Sequence, residues 1–361
     1  MNSRIPQPSS RPLRVAIIGA GLMGYWHARA ARDLGAELVA VVDPDPKRAT
    51  ALAGKLRIGA TAADASDILQ KGRIDAVHIC APSRSHADLT CQAIECGIHA
   101  LVEKPLVESA EETQRLLDDA SRKAVVLCPV HQIAFQDGVA GAAKVLGELG
   151  DLSMIDIRIC STGGCGRTGQ ELDTIIGDVL PHPLSILRRL WPDISVEPER
   201  WLVSSTRPGE CMIAGTHAGA LLSIAISLHA RPTRFEMDVA GSRGSLYLDF
   251  FHGFYVGYNG RASRLHKAAR PFTIAMKLFG SASLNLLGRG LRGETAYPGL
   301  RSLTRAFYAA ARGEGPAPIS AQDIIAVAAA RDAILIDLKR KLPAVAGATP
   351  VAEENSAEQP H

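Results

Sequence analysis

The stretch LRVAIIGAGLMGYWHARAARDLG, residues 13–35, governs the reading of the whole chain. Its first part is a run of aliphatic residues ending at glycine, the pattern of a strand buried on both faces. Its second part, GYWHARAARDLG, has the spacing of a helix. Between them GAGLMG, residues 19–24, fits G-x-G-x-x-G in the strand-to-helix context that gives that pattern meaning. Gly19 allows a tight turn, Gly21 lets the backbone approach a pyrophosphate, and Gly24 permits close packing of helix on strand. The helix N-terminus then faces phosphate charge with free N–H groups. Asp43 ends a second strand, AELVAVVD, where a carboxylate accepts bonds from both ribose hydroxyls and repels a 2′-phosphate. NAD is the expected cofactor; Arg48, close by, leaves NADP open.

Outward from this stretch the alternation continues. DPKRATALAGKL reads as a helix, and IDAVHICAP (74–82), IHALVEK (98–104) and AVVLCP (124–129) as strands, with helices over 84–96 and 108–122. Buried strands alternating with helices predict a parallel sheet covered on both faces, a doubly wound α/β fold of Rossmann type that binds ligands at its strands' carboxyl ends. After residue 150 the rhythm changes. LSMIDIRIC, RWLVSST, CMIAGTHAGALLSIAISLHA, TRFEMDVAG and GSLYLDF are strands joined by short turns, an α+β arrangement with a large, mainly antiparallel sheet. GLRSLTRAFYAAARGEG and SAQDIIAVAAARDAILIDLKRKL close the pattern as helices. The expected division is a dinucleotide-binding domain over 13–130 and a substrate and oligomerisation domain over 131–343. Loose tails are expected at 1–12 and 344–361.

The totals narrow the class. Of 361 residues, 47% are apolar and 21% charged, as in ordinary globular proteins, and a net charge of +3 is too weak to suggest nucleic acid as partner. Seven cysteines without regular spacing argue against a disulfide framework. Cys160 and Cys165 have no second ligand pair, so no metal site is expected. No run reaches membrane-span length, and the polar N-terminus has no apolar leader core, so a cytoplasmic protein is expected.

Two further stretches carry chemistry. LVEKPL (101–106) places Lys104 at the carboxyl end of a later strand, on the sheet edge of the glycine loop. In GDVLPHPL (177–184), Pro181 and Pro183 fit a helix only in its first turn, so a helix is expected from about residue 179 with Asp178 as N-cap. That spacing puts Asp178 and His182 on one side of the turn. Taken alone, the pair is a capping carboxylate and a core histidine.

GAGLMG followed by His27, APSRSHADL (81–89), GIHALVEKPL (97–106) and GDVLPH (177–182) come in an order and spacing that resembles the Gfo/Idh/MocA oxidoreductases. The resemblance runs from about Leu13 to Leu342. VAGSRGSLYLD (239–249) is similar to the family's late hairpin and PISAQDIIAVAAARDAI (318–334) to its final helix. It implies an NAD(P)-dependent dehydrogenase acting on a secondary alcohol of a sugar, cyclitol or nucleotide sugar. It also implies Lys104, Asp178 and His182 as catalytic residues, with dinucleotide contacts from Gly19, Gly21, Leu22, Met23, Gly24, Asp43, Ala81, Pro82, His86, Glu103 and Lys104. In that reading His182 takes the hydroxyl proton, Lys104 stabilises charge on the reacting oxygen, and Asp178 orients substrate or imidazole. Two departures stand out: Leu180 where many members have glycine, and VHQIAF (130–135) where many carry an Asn-x-Arg-Phe segment. Some relatives bind the dinucleotide as regulators without turnover, which is the alternative reading.

Residues 259–305 contain nine Lys or Arg and one acid, Glu294, within a basic insertion over 259–295. Three readings apply: a segment packed over the sheet or an interface, a cover over an anionic substrate, or an amphipathic segment touching anionic lipid. A homodimer or homotetramer built on the open sheet is the expected assembly.

Overall fold

The computed structural model describes residues 11–71, 73–194, 200–260, 264–294 and 296–341. The expected tails, apart from Arg11 and Pro12, and Arg261 of the basic insertion lie outside the described residues.

The first sheet contains β1 (Arg14–Ile18), β2 (Glu37–Val42), β3 (Thr61–Ala62), β4 (Ala76–Ile79), β5 (His99–Val102) and β6 (Leu127–Pro129). All pairs are parallel, in the order β3-β2-β1-β4-β5-β6. That is the order of a doubly wound dinucleotide fold, with its crevice between β1 and β4. Helices α1 (Leu22–Asp33), α2 (Pro46–Leu56), α3 (Ser66–Leu69), α4 (His86–Glu95) and α5 (Ala110–Arg122) connect the strands. Two apolar layers flank the sheet, one built around Val15, Ile17 and Leu101, the other around Ile79, Val102 and Leu116. This is why the strands read as near-continuous apolar runs.

After α6 (Asp137–Val145) come β7 (Leu152–Cys160), α7 (Gly169–Val179), α8 (Pro181–Leu190), β8 (Leu202–Ser204), β9 (Glu210–His217), β10 (Ala220–Ser227), β11 (Arg234–Gly241), β12 (Gly244–Asp249) and β13 (Phe254–Asn259). The second sheet runs β13-β12-β11-β7-β10-β9-β8, and β7–β10 is its parallel pair. The strands alternate. Ile155, Ile157 and Ile159 pack on Leu180, Leu184 and Leu187, while Met154, Asp156 and Arg158 face outward. Helices α9 (Arg264–Leu291), α10 (Leu300–Ala311) and α11 (Ala321–Lys341) follow.

Chain order and packing part company here. α10 buries Leu303, Phe307 and Tyr308 in the first sheet's core, and α11 shares Ile324 with the first sheet but Val327, Ala330 and Ile334 with the second. A helix with apolar residues around its circumference belongs between two layers, and α11 takes that place.

The helix expected to start at residue 179 is instead two helices. α7 opens at Gly169 with a capping box between Thr168 and Glu171, and α8 opens at Pro181. Asp178 is therefore a last-turn residue of α7 and caps nothing. Proline at the first position of α8 fixes the break, because it cannot donate the hydrogen bond that would continue α7.

Candidate functional site

The carboxyl ends of the parallel strands gather the sequence-selected residues along one edge. Gly19 N–H donates to the Val42 carbonyl at 2.7 Å, tying the glycine loop to the end of β2. Gly19 has φ +104, and a Cβ there would sit 2.5 Å from the Cys80 carbonyl oxygen. Gly21 is the N-cap of α1 and brings no side chain to the first-turn N–H groups; a Cβ on it would meet no atom within 4 Å. The space a side chain would fill is open beside a helix N-terminus, which suits an approaching pyrophosphate. Leu22 is exposed at that rim, and Met23 is half-buried. Asp43 is buried; its Oδ2 accepts from Ala20 N–H at 2.8 Å and its Oδ1 from Asp45 N–H at 2.9 Å. Arg48 is turned to Asp45, Nε to Oδ2 3.6 Å. These features fit a dinucleotide.

A Cβ on Gly24 would lie 1.9 Å from the Gly19 carbonyl oxygen. Gly24→Ala is thus expected to cost about 1–3 kcal/mol of overpacking and to push the loop outward. Calorimetry should find a lower Tm together with weaker NAD binding. An unchanged melting curve would refute the close helix–strand contact.

Ala81 is half-buried and Pro82 exposed, just past β4. His86 behaves differently from expectation. It is buried with Nδ1 2.7 Å from the Pro105 carbonyl and Nε2 2.8 Å from the Ala81 carbonyl, so both ring nitrogens are taken by main chain. It ties the loop after β4 to the loop after β5 and has no ring nitrogen left for a ligand.

Glu103 is the end of a buried polar chain. Its Oε1 meets His27 Nε2 at 3.0 Å, His27 Nδ1 meets His78 Nδ1 at 3.1 Å, and His78 Nε2 meets the Tyr308 hydroxyl at 3.0 Å. Burial works to raise the Glu103 pKa, but the His27 hydrogen bond and the nearby Lys104 charge win and hold it below the ordinary range. Burial pushes the His78 pKa well down, so that ring is neutral. Such a satisfied network rigidifies what it touches. Here it fixes the backbone that presents Lys104, whose N–H also donates to Glu103 Oε2 at 3.2 Å.

Lys104 Nζ donates to the main-chain carbonyl of Asp178 at 3.0 Å, joining the end of β5 to the last turn of α7. The Asp178 carboxyl is pushed up by burial, while Lys104 and Arg331 pull it back in part. His182 follows in the first turn of α8, and its Nδ1 is buried without a partner among the described residues. Burial, then the charges of Lys104 and His131, push its pKa well below the ordinary histidine value. It is a neutral base at neutral pH.

Two residues of this cluster were not singled out from sequence. His131 follows β6 as Lys104 follows β5; burial and Lys104 push its pKa down to about 4, and its Nδ1 too has no partner among the described residues. The available signal was its place at a strand's carboxyl end, in the VHQIAF segment. Arg331 of α11 donates from Nε to the Gly177 carbonyl and from Nη1 to the Glu108 carbonyl, each at 3.0 Å. It clamps the end of α7 to the loop after β5, and no local pattern announces it.

Comparison with known proteins bears on this arrangement. The family described as an oxidoreductase family with an NAD-binding Rossmann fold matches residues 13–131. An inositol 2-dehydrogenase of Pseudarthrobacter chlorophenolicus is 30% identical over 241 residues, covering 63% of this chain and 70% of that protein. The chain belongs to the Gfo/Idh/MocA family of oxidoreductases. Inositol 2-dehydrogenase 4 of Saccharopolyspora erythraea is 40% identical over 112 residues, and there the match spans only 30% of this chain and 33% of the relative. Among solved structures, levoglucosan dehydrogenase in complex with NADH and levoglucosan superposes with a TM-score of 0.73 at 18% identity, over 92% of this chain and 98% of that one. The Gfo/Idh/MocA architecture, a Rossmann domain followed by a large mainly antiparallel sheet, is therefore shared along nearly the whole chain, and NAD is the family's cofactor.

Proposed function

We propose that this chain is an NAD-dependent dehydrogenase of sugar or cyclitol secondary alcohols, with nucleotide sugars within the same class, and that Lys104, His182 and Asp178 form its reaction centre. One observation carries the reading: Lys104, at the carboxyl edge of the nucleotide-binding sheet, reaches the Asp178 carbonyl at the α7–α8 junction, beside His182. The names of the relatives, inositol dehydrogenases and a levoglucosan dehydrogenase, support the substrate class.

Oxidising R₂CH–OH to R₂C=O removes a proton from oxygen and a hydride from carbon. The hydride acceptor is the nicotinamide when bound; its adenosine end is assigned to Asp43 and its pyrophosphate to the loop around Gly19, Gly21 and Gly24. His182, neutral through burial, takes the hydroxyl proton on its imidazole. The Lys104 ammonium stands beside the oxygen as its negative charge grows, where a preorganised charge in a site shielded from water counts most. Asp178 balances the standing charge of the Lys104 ammonium and the positive charge that His182 gains in the proton transfer. Arg331 is a positioning residue, acting through the carbonyl of Gly177.

Incubating the protein with NAD and a panel of cyclitols, sugars and nucleotide sugars, while following absorbance of the reduced nicotinamide, tests the reading. Reduction by at least one member is expected, and none with any member would overturn it. A second measurement addresses cofactor choice. Asp43→Ala should weaken NAD by about tenfold or more, as for loss of charge-assisted hydrogen bonds, and weaken NADP less. Wild-type protein that binds NADP as tightly as NAD would remove Asp43 from the ribose.

A further inference from the structure

The dehydrogenase reading leaves α9 without a task. From Arg264 to Leu291 its sequence holds no Asp or Glu, within a stretch whose nine Lys or Arg face a single acid. Three polar side chains fasten the helix beside β13. Lys277 Nζ donates to the Gly257 carbonyl at 2.8 Å, and Asn285 Nδ2 and Arg289 Nη1 each donate to the His252 carbonyl at 2.9 Å. These contacts set its rotation. Ile274, Ser281, Ala282, Asn285 and Arg289 are half-buried against the body. Steps of 100° per residue then carry Phe272, Met276, Phe279, Leu286 and Leu287 to the opposite side. They are between 62% and 76% exposed. Eight of the fifteen exposed large hydrophobic residues among the described residues lie on this one helix. A contiguous apolar stripe of this kind marks a surface that something covers.

We propose that α9 docks the protein on a bilayer surface containing anionic phospholipid, lying in the interfacial plane with the Phe272–Leu287 stripe in the acyl boundary and the basic residues of its N-terminal end at the phosphates. Charge selects this occupant. A second copy seated on the same face would set one acid-free cationic helix against another, with no carboxylate in either for a cross pair. The outer face of the second sheet offers a copy better complementarity. There Met154, Leu202, Met212 and Leu221 are exposed on neighbouring strands, beside ion pairs of Arg158 with Asp156, Glu236 and Asp238. An anionic lipid surface supplies negative charge to the basic N-terminal end of a helix about 42 Å long at 1.5 Å per residue, and no acid within the helix opposes it. A large apolar face combined with Lys and Arg is the composition of a helix that lies on a membrane. No helix among the described residues is long and apolar enough to cross one.

Co-sedimentation of the full chain with vesicles tests this. Protein is expected in the pellet with phosphatidylcholine–phosphatidylglycerol vesicles, in the supernatant with phosphatidylcholine alone, and partly released from the mixed vesicles by added salt. The variant F272E/M276E/F279E should partition at least about tenfold more weakly, since each removed contact is worth that much. R264Q/K267Q/R270Q should lose the preference for the anionic lipid. Both variants should bind NAD like wild type, which shows that they fold. The proposal is overturned if wild type stays in the supernatant with the mixed vesicles, or if the glutamate variant pellets as wild type does. It is equally overturned if sedimentation velocity shows that variant changing the subunit number while the wild type ignores vesicles, because the face would then join copies.

Discussion

Turnover of the His182→Ala variant is expected to fall by about 10²–10⁴-fold, the usual worth of a positioned acid or base, with NAD still bound. The expectation rests on the state of the ring. Burial and the adjacent Lys104 and His131 hold its pKa well below the ordinary histidine value, so it is proton-free where the reaction runs. In wild type, alcohol oxidation should be flat through neutral pH and fall on the acid side, with its midpoint below about 6.5. The acid limb should vanish in His182→Ala along with the bulk of the activity. Near-wild-type turnover in that variant would return the Asp178–His182 pair to a structural role.

The same histidines tie stability to pH. His131, pushed down to about 4, and His182 are neutral in the fold and protonate more readily in the unfolded chain. Between about pH 4 and 6.5 the unfolded state binds more protons, so stability rises with pH across that window and is lost as pH falls. Thermal melts at stepped pH should show Tm dropping over that window; a constant Tm there would place both rings in contact with water.

How much of this was legible in the sequence depended on the range of the interaction that fixes each feature. The glycine loop is local: Gly19 and Gly24 are required by clashes with Cys80 and with each other, and the strand-to-helix pattern carries them openly. Lys104 was legible because a strand end fixes its direction. Asp178 was misread as a cap because two prolines look like a helix start from any distance. The stronger signal was the Thr168–Glu171 capping box before an apolar run. His86 carries a motif resemblance, yet its ring nitrogens are spent on the Ala81 and Pro105 carbonyls. Arg331 and Tyr308 act on residues far away in the chain, Gly177 and His78, through helices whose docking no local pattern encodes. The packing of α10 on the first sheet was hidden for the same reason.

Replacing Lys104 by alanine is expected to cost a factor comparable to the His182 loss, because it removes the charge beside the reacting oxygen. It also tests the geometry in a way that activity alone does not. Lys104 is one source of the depression at His182 and at His131, so its removal should move the acid limb of residual alcohol oxidation to higher pH. A lysine that served only to brace the Asp178 carbonyl would lower stability and leave turnover near that of wild type. NAD affinity should persist, since the adenosine half is held at Asp43 and the glycine loop. The double variant Lys104→Ala/His182→Ala should lose less than the product of the single losses, because two groups that act on one oxygen are not independent. Strictly multiplicative losses would mean that the lysine and the histidine serve different steps, and the shared-oxygen assignment would fall.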